Sequence, residues 1–263
     1  MQPKHTVRPS DLPDHLLAEG RHWITTDEAV DLIGRNRRVV YPRLAELERA
    51  KRLFSPAQGL YVIVPPEYRS WAVVPADWFI DPMMRHLKRS YYVAFLSAAA
   101  RHGAAHQAPQ TFQSIVDRQL NDRAIGRVRL HFVKSSEMDP DGRTRMNSHT
   151  GSYLVATPEM TAVDLAWRPR EGGGVSNVAT VLRDIGELSG ERMARLATSR
   201  GRATARRLGW LLDSFRSDVD TFWLRRIAEP ARPGPTALIP GNRPRGPIDR
   251  GWGVQINGTV EPD

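Results

Sequence analysis

Along the first 65 residues the apolar positions switch between helical and strand-like spacing. Ser10 followed by DLPDHLLAEG predicts a short capped helix ending at Gly20, and HWIT at 22–25 alternates as a short strand does. Thr26 stands as the cap of a second helix, DEAVDLIG, with Asp27 and Glu28 in the first turn, where the backbone dipole favours acids, and Gly34 at its stop. RNRR at 35–38 offers a turn. Beyond it Val40, Leu44 and Leu47 recur at i, i+4 and i+7, the apolar stripe of a third helix. Proline is comfortable only in a helix's first turn, so Pro42 predicts a helix that starts near Val40 or kinks there. Two β-prone runs, 53–55 and 60–64, follow around a Pro-Ala-Gln-Gly turn. Helix, turn, helix and hairpin in this order predict a winged helix-turn-helix, whose third helix enters the major groove while the hairpin lies along the backbone.

Prolines and aromatics interleave from 65 to 82, which reads as a connector packed on a surface and sets a domain boundary near residue 80. Ser90 then caps a predicted helix, YYVAFLSAAARHG, ended by Gly103. Three β-like stretches follow at 111–117, 127–134 and 152–158. In the second of them Val128, Leu130 and Phe132 face one side and Arg127, Arg129 and His131 the other, as in a half-exposed strand. Thr157-Pro158-Glu159 opens a helix with proline at its first position, and helical stretches continue after the triple glycine at 172–174. The expected fold class is α+β: a winged helix-turn-helix DNA-binding domain over 1–80, then a larger domain over 81–263 with a mainly antiparallel sheet and C-terminal helices. The proline- and glycine-rich run from Glu229 to Asp263 is expected to wrap back onto the sheet through Trp252 to Asn257.

Charge sharpens the picture. The formal net charge is +9, most of it from arginine, which suits an acidic partner such as nucleic acid. Seven basic residues face two acidic ones between 35 and 52, and six arginines with no acid lie between 192 and 207, so the remainder of the chain is close to neutral. The first zone opens a helix, where the dipole already favours anions; it is either an ordinary solvated helix face or, as the turn, hairpin and sign together favour, a surface for an anionic partner. The candidate DNA-binding residues there are Arg35, Asn36, Arg37, Arg38, Tyr41 and Arg43, with Gln58 at the hairpin tip. Arg195, Arg200, Arg202, Arg206 and Arg207 are either a second basic surface or an ordinary solvated helix face and loop.

Other chemistry is weakly signalled. The absence of cysteine excludes disulfides and thiolate zinc sites. The N-terminus has no apolar leader core, and the most apolar stretch, 91–100, is too short to span a bilayer, so a cytoplasmic protein with no membrane partner is expected. His102 and His106 have the spacing of a metal pair, but Gly103 interrupts the helix between them. The triple glycine lacks the Lys-Ser/Thr of a phosphate loop, and no GxSxG occurs. Asp164, Asp184 and Asp213 are the scattered carboxylates a metal-dependent nuclease would use. No catalysis, cofactor or metal is expected. The alternatives left open are a winged-helix-targeted nuclease and a plain transcription factor with a sensing domain.

Several stretches, in order, resemble the AbiEi family of antitoxins from type IV toxin–antitoxin and abortive-infection operons. They are QGLYVIVPPEY, SYYVAFLSAAARHGAAHQAPQTF, VATPEMTAVDLAW, the glycine run with NVATVL, RRLGWLLD at 206–213 and RGWGVQIN near the C-terminus. The resemblance implies an N-terminal winged helix that binds inverted repeats in its own promoter and represses it. It also implies a C-terminal domain that neutralises a cognate AbiEii-type nucleotidyltransferase toxin, with or without a stable complex. By position, Arg37, Arg38, Tyr41 and Arg43 would read DNA with Gln58 at the wing tip, and the arginines around 195–207 would belong to the antitoxic or auxiliary DNA-binding surface. Pro42 inside the expected recognition helix departs from the family's pattern.

Overall fold

The structure, a computed structural model, describes residues 6–105, 108–229 and 234–262. They form two compact units. The first comprises Met1–Ser90, Asn121–Leu130 and Met146–Tyr153, and the second Tyr91–Leu120, His131–Arg145 and Leu154–Asp263. The first unit thus takes in two later chain segments as well as the N-terminal run.

The first unit opens with α1 (Leu12–Ala18), β1 (Trp23–Thr25), α2 (Thr26–Ile33), α3 (Arg37–Arg49), β2 (Leu53–Ala57) and β3 (Leu60–Ile63). The cap of α2 is Thr25, one residue earlier than expected: its hydroxyl accepts from the Glu28 N–H at 3.3 Å while Glu28 accepts from the Thr25 N–H at 2.8 Å. Thr26 is thereby free to bond the hairpin, and its N–H donates to the Gly59 carbonyl at 2.9 Å. The helix α3 also starts earlier than the sequence predicts. Asn36 caps it by accepting from the Val39 N–H at 3.2 Å, which draws Arg37 and Arg38 out of the expected turn into the first helical turn and leaves Pro42 inside. An internal proline costs about 3 kcal/mol. Val40, Leu44 and Leu47 are buried by α3 at about 1.5–3 kcal/mol each, which outweighs that loss. These three join Leu12, Leu16, Ile24, Ala29, Ile33, Leu53, Tyr61 and Ile63 in one core cluster. The three strands form an antiparallel sheet in the order β1-β3-β2, and α4 (Ile80–His86) follows.

The remaining elements are β4 (Tyr91–Val93), α5 (Phe95–Arg101), β5 (Phe112–Val116), β6 (Arg123–Ile125), β7 (Val128–Lys134), β8 (Arg143–Ser148) and β9 (Gly151–Ala156). Then come α6 (Pro158–Trp167), α7 (Val175–Asp184), α8 (Gly190–Ala197), α9 (Arg202–Phe215) and α10 (Phe222–Ala228), and finally β10 (Thr236–Ala237), β11 (Ile248–Asp249) and β12 (Val254–Gln255). The helix expected from residue 91 is instead a strand followed by a shorter helix, because the Tyr91-Tyr92-Val93 run suits a pleated sheet. Six strands pair in the order β6-β7-β5-β4-β9-β8, and the sheet is mixed: β4 runs antiparallel to β5 and parallel to β9. In the second unit Thr157 caps α6, accepting from the Met160 N–H at 3.2 Å with Pro158 at the first position, and α6 lies buried among α5, α8 and α9. The C-terminal run packs on α9 rather than on the large sheet, as the small sheet β10-β12-β11. Trp252 fills the space over Gly209 there. No described helix is long and apolar enough to cross a membrane.

Candidate nucleic-acid interface

Arg35, Asn36, Arg37, Arg38, Tyr41 and Arg43 are all solvent-exposed at the start of α3, so the structure brings the sequence-predicted residues together on one surface. They are not equivalent. The Arg37 guanidinium is engaged by Asp27 of α2, and Arg43 forms a two-oxygen ion pair with Glu46 at 2.8 and 2.9 Å. Arg35 and Arg38 make no ion pair among the described residues. Arg38, Pro42, Ala45 and Arg49 are exposed at i, i+4, i+7 and i+11, on the face opposite Val40, Leu44 and Leu47. Val39 and Tyr41, 44% and 46% exposed, flank that face on either side. A cleft of about 700 Å³ opens between residues 6–10 and α3, with Arg8, Arg35, Arg43 and Arg52 on its walls.

Gln58 sits at the hairpin tip with its side chain exposed, where a two-residue Gln58-Gly59 turn closes on the Ala57–Leu60 pair and Gly59 adopts φ +80°. The tip's backbone is pinned rather than free. The Gln58 carbonyl lies 2.8 Å from His86 Nε2 of α4, and the Gly59 carbonyl is held by Thr26.

The second basic zone is mostly not a surface. Arg195 and Arg202 are exposed, and Arg195 faces Asp141 at 3.4 Å. Arg200, Arg206 and Arg207 are buried, which corrects both readings of them, as a second basic surface and as a solvated helix face. Arg206 donates to the Ala228 carbonyl at 3.0 Å and the Gly234 carbonyl at 2.9 Å. Arg207 donates to the carbonyls of Leu238 at 3.0 Å, Ala237 at 3.1 Å and Ala166 at 2.5 Å, and burial pushes its guanidinium down to about 10, still charged at neutral pH. These two arginines tie α9 to the C-terminal strands. Arg200 donates through Nε to Asp164 at 3.0 Å, through Nη2 to the Tyr92 hydroxyl at 2.8 Å and through Nη1 to Ser135 Oγ at 2.5 Å, and its guanidinium lies 4.4 Å from the Trp167 ring centre. The Tyr92 hydroxyl in turn donates to Asp164 at 2.9 Å. Burial pushes the Asp164 carboxyl up to about 6, against the opposing pull of Arg200 and Tyr92. A hint was present in the spacing: Arg207 shares a helix face with Thr204 and Leu211.

The three candidate nuclease carboxylates are dispersed. Asp164 is enclosed in this network. Asp213 accepts from Thr221 Oγ1 and Trp252 Nε1, each at 2.8 Å, and from Arg225, while Asp184 is exposed at the end of α7. Among the described residues no group of three His, Cys, Asp or Glu side chains could hold a metal ion. His102 Nε2 lies 2.7 Å from the Ala156 carbonyl, and His106 falls outside the described residues. Gly172 of the triple glycine is where α6 and α7 meet: a Cβ there would come within 2.6 Å of Val178 and 2.8 Å of Leu165.

Residues 92–214 match the family model of the AbiEi antitoxin C-terminal domain. Over that stretch, just under half of its length, the chain is similar to AbiEi-type antitoxins. The matched stretch contains the Tyr92–Asp164–Arg200 network, whereas the carbonyls that Arg206 and Arg207 bond at 228–238 lie beyond it. The fold is similar to that of the crystal structure of the RV2827C protein from Mycobacterium tuberculosis, with a TM-score of 0.69, 16% identity, and coverage of 96% of this chain and 94% of that one. No curated protein matches the chain.

Proposed function

We propose that this chain is the DNA-binding antitoxin of a type IV toxin–antitoxin pair, acting in the cytoplasm, which represses its own operon and neutralises a cognate AbiEii-type nucleotidyltransferase toxin. The observation that carries the proposal is the match of residues 92–214 to the AbiEi antitoxin C-terminal domain. The first unit is its winged helix-turn-helix. Support for that comes from the order α1-β1-α2-α3-β2-β3, the small antiparallel sheet, and an Asn36-capped α3 whose outward face is basic and exposed. In this role α3 enters the major groove, with Arg35 and Arg38 free to contact phosphates or guanine edges and Gln58 beside the backbone. The exposed Arg195 and Arg202 are what remains of a second basic surface on the antitoxin domain.

The test is retardation of the full chain's own upstream duplex against a scrambled one, at two salt concentrations, with and without magnesium. Selective retardation of intact DNA, together with rescue of growth when the adjacent toxin gene is co-expressed, is the expected result. Cleavage in magnesium, or retardation without preference, overturns the repressor assignment. Failure to rescue overturns the toxin assignment.

A further inference from the structure

We infer that α3 reads thymine methyl groups through Pro42 and Ala45, between Arg38 and Arg49, in the major groove of its DNA. This rests on the DNA-binding role proposed above and goes beyond it by naming the base feature recognised and the residues that recognise it. The four side chains lie along one exposed stripe opposite the buried Val40, Leu44 and Leu47. An exposed helix face usually carries long polar side chains through its middle. Here the middle two positions hold a proline ring and a single methyl group. Neither has a polar side-chain atom, and Pro42 has no backbone N–H, so neither can hydrogen-bond a phosphate or a base edge. The one apolar feature a base pair presents in the major groove is the C5-methyl group of thymine. Short side chains also let the helix backbone come close to the groove floor, where those methyls sit.

Charge fixes what the stripe meets. Arg38 and Arg49 stand at its two ends, about 16 Å apart along the helix axis, a span of about five base pairs. Neither makes an ion pair among the described residues. Arg37 and Arg43, the other basic residues of the helix, are turned to its flanks and held by Asp27 and Glu46. An apolar centre between two unpaired guanidiniums matches a run of A·T pairs with phosphates or guanines at its ends. Pro42 breaks the helical hydrogen-bond ladder, so a role in recognition gives its place in α3 a reason that packing does not.

The experiment measures binding of the full chain, by fluorescence anisotropy, to its own upstream duplex and to copies in which each thymine in turn is replaced by deoxyuridine, which removes only the methyl group. At one or two positions per half-site, affinity should fall by about three- to fivefold, the worth of one buried methyl. Pro42→Ala restores the missing N–H and keeps the helix, so the variant folds; it should bind the parent duplex more weakly and lose the deoxyuridine penalty at one of those positions. Selective binding in which every deoxyuridine duplex equals the parent overturns the inference and leaves the DNA-binding role standing. A full penalty retained in both Pro42→Ala and Ala45→Ser does the same. Absence of selective binding overturns the role itself, and the inference with it. Self-association of the free chain that Ala45→Arg abolishes would give the stripe to a second copy and overturn the inference on different ground.

Discussion

Arg200, which the sequence leaves open as part of a second basic surface, lies with its side chain 2% exposed, so replacing it with alanine separates a surface role from a structural one. The substitution removes the partner of a fully buried Asp164 together with bonds to Tyr92, Ser135 and the Glu137 carbonyl. Breaking a buried pair by deleting one member costs about 3–5 kcal/mol, because the other charge stays buried. In a chain of this size that lowers the melting midpoint by about 10 °C. Equilibrium urea unfolding at pH 7.5, with calorimetry, measures it, and Arg202→Ala, at an exposed site, should stay within about 0.5 kcal/mol of the parent. The pH dependence has a definite sign. The folded value of Asp164, about 6, lies above the ordinary carboxylate value near 3.9, so its contribution is fully present below that value and is lost as pH rises through about 6. Without Arg200 the folded value climbs further, so the deficit of the variant should shrink as pH is lowered toward 5. Replacing both residues, as Arg200→Met with Asp164→Leu, should recover much of the loss. A deficit under about 1 kcal/mol, with weakened DNA binding instead, would refute the structural role and restore Arg200 to the surface.

Three other outcomes follow from the geometry. Gly209→Ala places a Cβ between 2.1 and 2.5 Å from Trp252 ring atoms and should destabilise by about 1–3 kcal/mol in thermal melts; an unchanged melt would mean that Trp252 does not cover α9. Asp27→Ala releases Arg37 and removes an acid beside the proposed interface, so DNA binding should tighten and the salt slope steepen by about one unit; unchanged affinity would detach Arg37 from the interface. Burial, and then the neighbouring His149, hold the His22 imidazole below its usual value, so it charges only under more acidic conditions than a free histidine and any stability it contributes is lost as pH falls through that lowered value. NMR titration should find it below 6.5 and moved upward in His149→Gln, and a normal value in the parent would contradict the packing.

What was legible in the sequence was local. Thr157-Pro158 announces α6 because the cap and the proline's fixed φ act within one turn. The stripe of Val40, Leu44 and Leu47 announces α3, but its start depended on Asn36 reaching the Val39 N–H, a competition that periodicity does not register. Tyr91-Tyr92-Val93 was misread because an apolar run of that length suits helix and strand alike, and its sheet partners at 114–116 and 155 lie far along the chain. β6 and β8 were missed because their outward residues are polar and their stability comes from neighbouring strands. Of the candidate site, composition located the charge on α3 correctly. It could not tell Arg38, free in solvent, from Arg37, held by Asp27, nor see that Arg200, Arg206 and Arg207 turn inward to carbonyls and a carboxylate distant in sequence.

The first unit is assembled from three stretches of chain, and synthesis delivers them in order. The core cluster from Leu12 to Ile63 can close once residue 63 has left the ribosome, but Arg127 stacks on the exposed Trp71 ring, Pro56 is bonded by Arg123, and Trp78 is stacked by His149. At about 5–20 residues per second, those later residues arrive on the order of ten seconds after the core. A nascent chain therefore passes through a stage with its innermost cluster buried and two indole rings still lacking their Arg127 and His149 partners, and ribosome pausing anywhere between residues 64 and 149 prolongs it.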